Sequence, residues 1–546
     1  LRAWYDPATV RRWNGWGDEA VHVPVPAALE RLLAAAIGEP RAPVDVPFAS
    51  VCAAVPPSRL PAHPLFASDA ATRACHARGQ GFPDLVALRS GHGLVFPDAV
   101  AQPRDEHEVA ALLALCRERE AAVIPYGGGT SVVGHVNPER GGRPVLTLSL
   151  ARLAGLRALD ERSRLASFGP GATGPAVEEA LGARGYRLGH YPQSFERSTL
   201  GGWIATRSSG QQSRGYGRIE DLFAGGTLVA PAATLRLPPF PASAAGPDLR
   251  QLVLGSEGRA GVLTEATVRV SPCPEREGFE GVLFREWGAA AEAARGLAQS
   301  GVPISMLRAS NPLETETTFA LKRGARAAGA LEAVMRWRGL RSHARCLVVI
   351  GFSGTRAGVR AARSEALTAL ARAGAVRIAP SRLGAAWAKG RFRAPYLRDA
   401  LWEKGYGVDT VETAVCWDRV PRMVEAVESA LRAAPGPQGE RVHAFTHLSH
   451  VYATGASVYT TFVFRLADTP EATLLRWRTL KAAASEAIVR EGGTISHQHG
   501  VGVDHAPYLA AEKGAAGLAA LAGAFAALDP EGLLNPGKLL REGSVR

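Results

Sequence analysis

From His190 to Leu222 the chain reads HYPQSFERSTLGGWIATRSSGQQSRGYGRIEDL. Ser194, Ser198, Thr199, Gly201, Gly202, Ala205, Thr206, Ser208, Ser209 and Gly210 crowd this stretch with small and hydroxylated side chains. Neither a long helix nor an ordinary hydrophobic strand is expected here, because such residues weaken helix interiors and give a strand little to pack. Glycine-rich backbone of this kind suits close approach by another group, whether a crossing strand or a ligand. The fold must therefore press something against it.

Two further glycine-rich stretches narrow what that something is. Pro125, Tyr126, Gly127, Gly128, Gly129, Thr130 and Ser131 follow AAVIP, a short apolar strand. Consecutive glycines let successive backbone N–H groups wrap an anion, and Thr130 and Ser131 add hydroxyls. The spacing is neither a P-loop nor a dinucleotide fingerprint, since no GK[ST] follows and G-x-G-x-x-G is absent. The third stretch, GSEGRAGVLTE, places Glu257, Gly258, Arg259, Ala260, Gly261, Val262 and Leu263 at the head of an alternating strand. Each alone also reads as a tight turn or bulge. Together they point to one extended ligand with phosphates and a ring.

The surrounding pattern is α+β. Asp105 with Glu108 predicts a helix start, and Val109, Leu112, Leu113 and Cys116 form its apolar face. VLTLSL and SFGPG read as strands, and Thr173 with Pro175 opens a helix carrying Val177 and Leu181. At 546 residues two or three domains are expected. We place an N-terminal extension at 1–93, a ligand-binding domain at 94–273, a second α+β domain at 274–490 and a returning C-terminal segment at 491–546. Ala27 to Ile37 is the clearest helix of the extension. Ala/Arg-rich helices alternate with CLVVIGF and SVYTTFVFRL in the second domain, and a long helix runs from about Ala472 to Glu491.

Composition enters as exclusions. The net charge of +12 is carried by scattered Arg without a Lys/Arg block, which argues against nucleic acid and leaves acidic substrates or an anionic membrane surface. Cys52, Cys75, Cys116, Cys273, Cys346 and Cys416 are widely spaced, as free thiols in a reducing, cytoplasmic compartment would be. No run reaches the ~18 apolar residues of a membrane span.

PYGGGTS, the run P-x-S-x-x-x-S-T-x-G-G-W-x-x-T-R-x-S-G followed by YGRIED, GSEGRAGVLTEATVRV and the late LNPGK together resemble the FAD-binding PCMH-type domain of the vanillyl-alcohol oxidase superfamily. Within it the chain is most similar to the alkyldihydroxyacetonephosphate synthase family, also called alkylglycerone-phosphate synthases, from Trp13 to the C-terminus. The resemblance implies two FAD-binding subdomains, a cap domain, non-covalent FAD and a homodimer. It puts the FAD pyrophosphate at Pro125 to Ser131. It lines the flavin with Gln193, Ser194, Phe195, Glu196, Arg197, Ser198, Thr199, Thr206, Arg207, Ser208 and Ser209, and completes the nucleotide contacts with Glu257 to Leu263. In the cap it makes Arg398 the residue that meets a carboxylate, Tyr459 the acid/base, and His497 and His499 the active-site histidines.

The activity it implies is a redox-neutral exchange of an acyl chain on dihydroxyacetone phosphate for a fatty alcohol, with flavin N5 as a covalent catalyst. An FAD-linked oxidase or dehydrogenase of a 2-hydroxy acid is the second reading, and a non-catalytic FAD- or lipid-binding protein the third. Three positions depart from the family pattern. Gln498 interrupts a run of three histidines, Gln193 stands where Asp is expected, and Leu307 takes the place of a cap arginine, with Arg308 beside it. From the residues alone, Tyr459 also reads as a cross-strand tyrosine, Arg398–Asp399 as a surface ion pair, and His497 with His499, His447 and His450 as metal ligands.

Overall fold

Asp105 caps the helix that opens the first sheet layer, its carboxylate accepting the Glu108 N–H at 2.8 Å. This computed structural model describes residues 11–322, 327–435 and 440–540. Residues 1–10 of the N-terminal extension and 541–546 of the C-terminal segment lie outside the described residues.

The first sheet holds β1 (Phe66–Ala67), β2 (Ala99–Ala101), β3 (Ala122–Tyr126) and β4 (Val145–Ser149) in the order β1-β2-β4-β3. The face of the Glu106–Glu118 helix made by Val109, Leu112, Leu113 and Cys116 packs on it. The second sheet holds β5 (Leu156–Asp160), β6 (Leu165–Phe168), β7 (Phe223–Val229), β8 (Thr234–Leu237) and β9 (Val262–Arg269) in the order β5-β6-β9-β7-β8. The glycine-rich stretch lies against this second layer. It breaks into short pieces, of which Leu200–Thr206 is the longest helix at 7 residues. The last described segment runs back beside β3, where Val123 N donates to Leu533 O at 2.8 Å.

A six-stranded antiparallel sheet follows: β10 (Arg276–Phe284), β11 (Met306–Ser310), β12 (Cys346–Gly354), β13 (Tyr406–Cys416), β14 (His443–Val451) and β15 (Gly455–Arg465), in the order β10-β12-β11-β14-β15-β13. One face is covered by α1 (Trp287–Gln299), α2 (Arg356–Arg372), α3 (Val420–Ala433) and α4 (Pro470–Arg490), which bury Val282, Val348, Leu448, Val458 and Phe462. Phe82 and Leu85 of the N-terminal extension enter that same core. On the opposite face apolar residues sit at two places. The Ala27–Ile37 helix covers Phe445 and Val463, and a second cluster holds Leu283, Met306, Leu347 and Val349. Between these two patches the strand register lines up Glu412, Tyr459, His447 and Ser310 across four strands. The polar row exists because side chains on alternate strand positions share a face.

Arg345, at the start of β12, is fully buried and lies 2.9 Å from both Glu316 and Glu332. Breaking a buried pair from one side leaves like charges facing each other. Arg345→Met is expected to cost about 3 kcal/mol, seen as a lowered thermal unfolding midpoint by calorimetry; an unchanged midpoint would make the guanidinium dispensable.

One expectation is corrected. Ala506–Leu528 is long and apolar enough, by length and composition, to cross a membrane, with mean hydropathy 1.2. The apolar weight comes from alanines spread around Glu512 and Lys513 instead of an unbroken run of large residues, and the backbone is non-helical at Gly514.

Candidate active site

Strand β3 ends at Tyr126, and the chain turns through Gly127 to Ser131 against the 197–199 segment. A Cβ on Gly128 would stand 1.8 Å from the Arg197 carbonyl oxygen, and Gly129 adopts φ +64°. Among the described residues, no acceptor meets the backbone N–H groups of Gly127 to Ser131. The buried Tyr126 hydroxyl beside them also lacks a partner. Convergent free N–H donors at a strand end form an anion-binding concavity, so these residues fit a pyrophosphate.

The second stretch divides in its contacts. Thr199 caps the Leu200–Thr206 helix, and Ser198 Oγ accepts the Trp203 indole N–H at 2.7 Å. Arg207 takes a left-handed conformation at φ +53°, and Ser208 Oγ lies 3.1 Å from His190 Nε2. Gln193, Phe195 and Glu196 reach toward the cap. The Gln193 amide donates to Arg391 O at 2.7 Å, Phe195 stacks on Phe392 at 5.5 Å, and Glu196 accepts the Tyr396 hydroxyl at 2.7 Å. The third stretch meets the histidine segment: Glu257 accepts the Val501 and Gly502 N–H groups, and Asn535 Nδ2 donates to the Glu257 carbonyl at 2.7 Å.

In the cap, Tyr459 pairs in register with Glu412 on one side and His447 on the other. Its ring stacks on His447 at 4.7 Å and meets His499 edge-on at 5.9 Å. Tyr459 and His499 are both half-buried. Burial, reinforced by the Glu412 charge, pushes the Tyr459 phenol up, and burial holds His499 below its ordinary value. Arg308 joins Glu314 and His447, which are themselves 3.0 Å apart. Burial alone would raise the Glu314 carboxyl; Arg308 and then His447 reverse this and bring it down to about 2. Leu307, at the family's arginine position, faces the helix layer instead. The one-residue offset thus keeps a guanidinium on the site face.

Sequence reasoning missed Glu412. Its carboxylate lies 3.0 Å from His497 Nδ1, accepts the Gln498 amide at 2.6 Å and stands 3.8 Å from His499. Burial opposes its charge, but His497 above all outweighs that and holds the carboxyl well below its usual range. Gln498, the departure from three histidines, is thereby a fixed donor to this carboxylate. Arg218 and Tyr452 were missed as well. Tyr452 Oη lies 2.7 Å from His497 Nε2, and Arg218 Nη1 lies 3.0 Å from the same nitrogen. A buried Glu in the alternating strand β13 and the Arg of YGRIED were the available signals.

Glu412, His450 and His497 offer ligand atoms within 4.8 Å of one another. A guanidinium only donates, so Arg218 leaves His497 Nε2 as an acceptor, whereas Nδ1, 3.0 Å from Glu412, makes no hydrogen bond of good geometry. Arg398 is held by Gln80, donating to its backbone O and, at 3.0 Å, to its Oε1, while among the described residues its buried Nε has no partner.

Asp504, near Lys481 and Asp409, has a carboxyl that burial pushes up to about 7 from 3.8. A carboxyl raised on folding contributes stability that is full below the unfolded value and lost as pH rises through the folded one. Asp504→Asn is therefore expected to raise the thermal midpoint near about pH 8 and leave it unchanged near about pH 4. The opposite ordering in a pH series of melting curves would contradict this environment.

Residues 97–236 match the family described as FAD binding domain, and residues 273–539 match FAD linked oxidases, C-terminal domain. The alkyldihydroxyacetonephosphate synthase of Dictyostelium discoideum is 31% identical over 478 residues, spanning 86% of this chain and 78% of that protein. Glycolate oxidase subunit GlcD of Bacillus subtilis is 26% identical across 81% of this chain and 89% of its own length. A solved alkyldihydroxyacetonephosphate synthase structure superposes with a TM-score of 0.83 at 26% identity, covering 96% of this chain and 98% of that one. With its FAD-binding sheets, its cap and these matches, the chain belongs to the alkyldihydroxyacetonephosphate synthase family of FAD-binding PCMH-type flavoenzymes.

Proposed function

We propose that the protein exchanges the acyl chain of an acyl-dihydroxyacetone phosphate for a fatty alcohol without net redox change. The observation that carries this reading is Tyr459, a neutral phenol set between the carboxylate of Glu412 and the stacked ring of His447 and facing His499. To take a proton from carbon the phenol must first pass its own to a base, and the ring of His499, kept neutral by burial, is the group placed to receive it and to return it. Arg398, whose buried Nε lacks an acceptor, supplies a fixed positive group for an anion such as the leaving carboxylate. Arg308 and Glu314 hold His447 against the phenol. Held along Gly127–Ser131, Gln193–Thr199 and Glu257–Leu263, FAD supplies the reactive N5 atom when bound.

A second reading, oxidation of a 2-hydroxy acid, is supported by the similarity to the glycolate oxidase subunit. Incubation with acyl-dihydroxyacetone phosphate and labelled hexadecanol separates the two. The exchange reading expects labelled ether lipid and free fatty acid. Anaerobic bleaching of the flavin by D-2-hydroxy acids, with no ether product, would establish the second.

A further inference from the structure

Two buried polar atoms face each other without bonding. His497 Nδ1 and Glu412 Oε1 stand 3.0 Å apart, and among the described residues neither has a hydrogen-bond partner. Both side chains are enclosed, at 2% and 0% exposure. Polar atoms left unpaired in a protein interior are costly. His450 closes a third side: its ring lies 4.9 Å from that of His497, and one ligand atom from each of the three residues falls within 4.8 Å of the others.

The surroundings hold these atoms in place. The Gln498 amide donates to Glu412 Oε2 at 2.6 Å, which fixes the carboxylate and leaves Oε1 to the rings. Arg218 Nη2 donates to the His497 carbonyl at 3.0 Å and fixes the backbone behind that ring. The guanidinium charge is offset by Glu220 at 3.4 Å. Burial holds His450 well below its ordinary value, so its ring stays neutral and keeps a nitrogen lone pair. Two other histidines that the sequence offers as metal ligands are engaged elsewhere, His447 with Glu314 at 3.0 Å and His499 edge-on with Tyr459.

We propose that Glu412 Oε1, His450 and His497 Nδ1 form a binding site for one divalent ion of the zinc class. Two imidazoles and a carboxylate suit such an ion, whereas magnesium and calcium take oxygen ligands. Zinc stands ~2.0–2.1 Å from nitrogen and oxygen ligands, so tetrahedral donors lie about 3.3 Å apart. The Glu412–His497 pair is close to that spacing at 3.0 Å, and a modest rotation of the His450 ring completes it. Without the ion, His497 Nε2 accepts from Arg218. Binding moves the ring proton from Nδ1 to Nε2, which then donates to the Tyr452 oxygen at 2.7 Å, and Arg218 Nη1 turns to that same oxygen, 3.2 Å away. Three protein ligands leave a fourth position open. Since Glu412 also pairs in register with Tyr459, a filled site neutralises the charge beside that phenol. The site stands whichever reaction the flavin supports.

The test uses the FAD-loaded full chain, stripped with a chelator and then dialysed against zinc chloride. One zinc per chain is expected to be retained, and X-ray absorption at the zinc edge should show two imidazoles among its ligands. His450→Gln and Glu412→Gln are each expected to weaken zinc more than about tenfold, since losing a ligand costs more than losing a group behind one. Gln498→Leu changes a half-buried side chain behind the carboxylate and is expected to weaken zinc about tenfold, the lower end of what such supporting groups contribute. It decides the matter should either buried variant fail to fold. Failure of the stripped wild type to retain zinc, a bound ion without two imidazoles, or an affinity that the variants leave unchanged overturns the inference.

Discussion

Replacing Tyr459 with phenylalanine is expected to lower turnover about 10³-fold, the middle of the range for a lost general acid/base, while the protein keeps its yellow flavin. The phenyl ring preserves the stack on His447 and the edge contact to His499, so packing and cofactor retention should change little. Only the hydroxyl is removed. Its position in strand register between Glu412 and His447 means that no neighbouring hydroxyl takes its place on that row, since Ser310 lies one strand further on. A rate within threefold of wild type would transfer the acid/base role to another group, with the rings of His447 and His499 beside it. A loss of flavin would mean that the hydroxyl serves structure.

Gly128→Val is expected to yield protein that folds but purifies nearly colourless. The added Cβ would sit 1.8 Å from the Arg197 carbonyl oxygen, and the obstacle is backbone, which has no rotamer to escape into. Either the loop or the 197–199 segment must move, and both belong to the proposed cofactor cradle. Overpacking of this kind costs about 1–3 kcal/mol, and in a cradle made of aligned N–H groups that misalignment translates to roughly a hundredfold weaker FAD. The measurement is the flavin-to-protein ratio after purification and its recovery on adding FAD. A normal ratio would show that the Gly127–Ser131 N–H groups do not hold the cofactor.

Much of the fold was legible because local signals and tertiary structure agree. Asp105 caps the helix its spacing predicts, and Val109, Leu112, Leu113 and Cys116 are the face that packs. The small-residue stretch does break into short helices against a sheet, as its composition requires. The cofactor was likewise legible, through the glycine runs and the resemblance they carry. Parts of the site were not. Glu412 reaches His497 from 85 positions away, and Arg218 reaches it from 279; no periodicity encodes such a meeting, since strand pairing and loop packing create it. The offset of Arg308 from the family position was visible as a mismatch, but its meaning came from strand parity, which turns Leu307 to the helices and Arg308 to the site. Gln498 read as a lost titratable group. Its amide on Glu412 shows instead a gained, permanent hydrogen-bond donor. The Ala506–Leu528 helix has no unbroken run of large apolar residues, because its hydropathy is carried by alanine, which adds little bulk.

The central claim is that this site performs substitution and leaves the flavin's oxidation state unchanged over a turnover. One sample tests it directly: the anaerobic, FAD-loaded protein mixed with acyl-dihydroxyacetone phosphate and labelled hexadecanol, with the flavin spectrum and the products followed together. The account predicts labelled ether lipid and free fatty acid over many turnovers, with the oxidised flavin spectrum restored once the acyl substrate is consumed. Permanent bleaching of the flavin without ether product would contradict it.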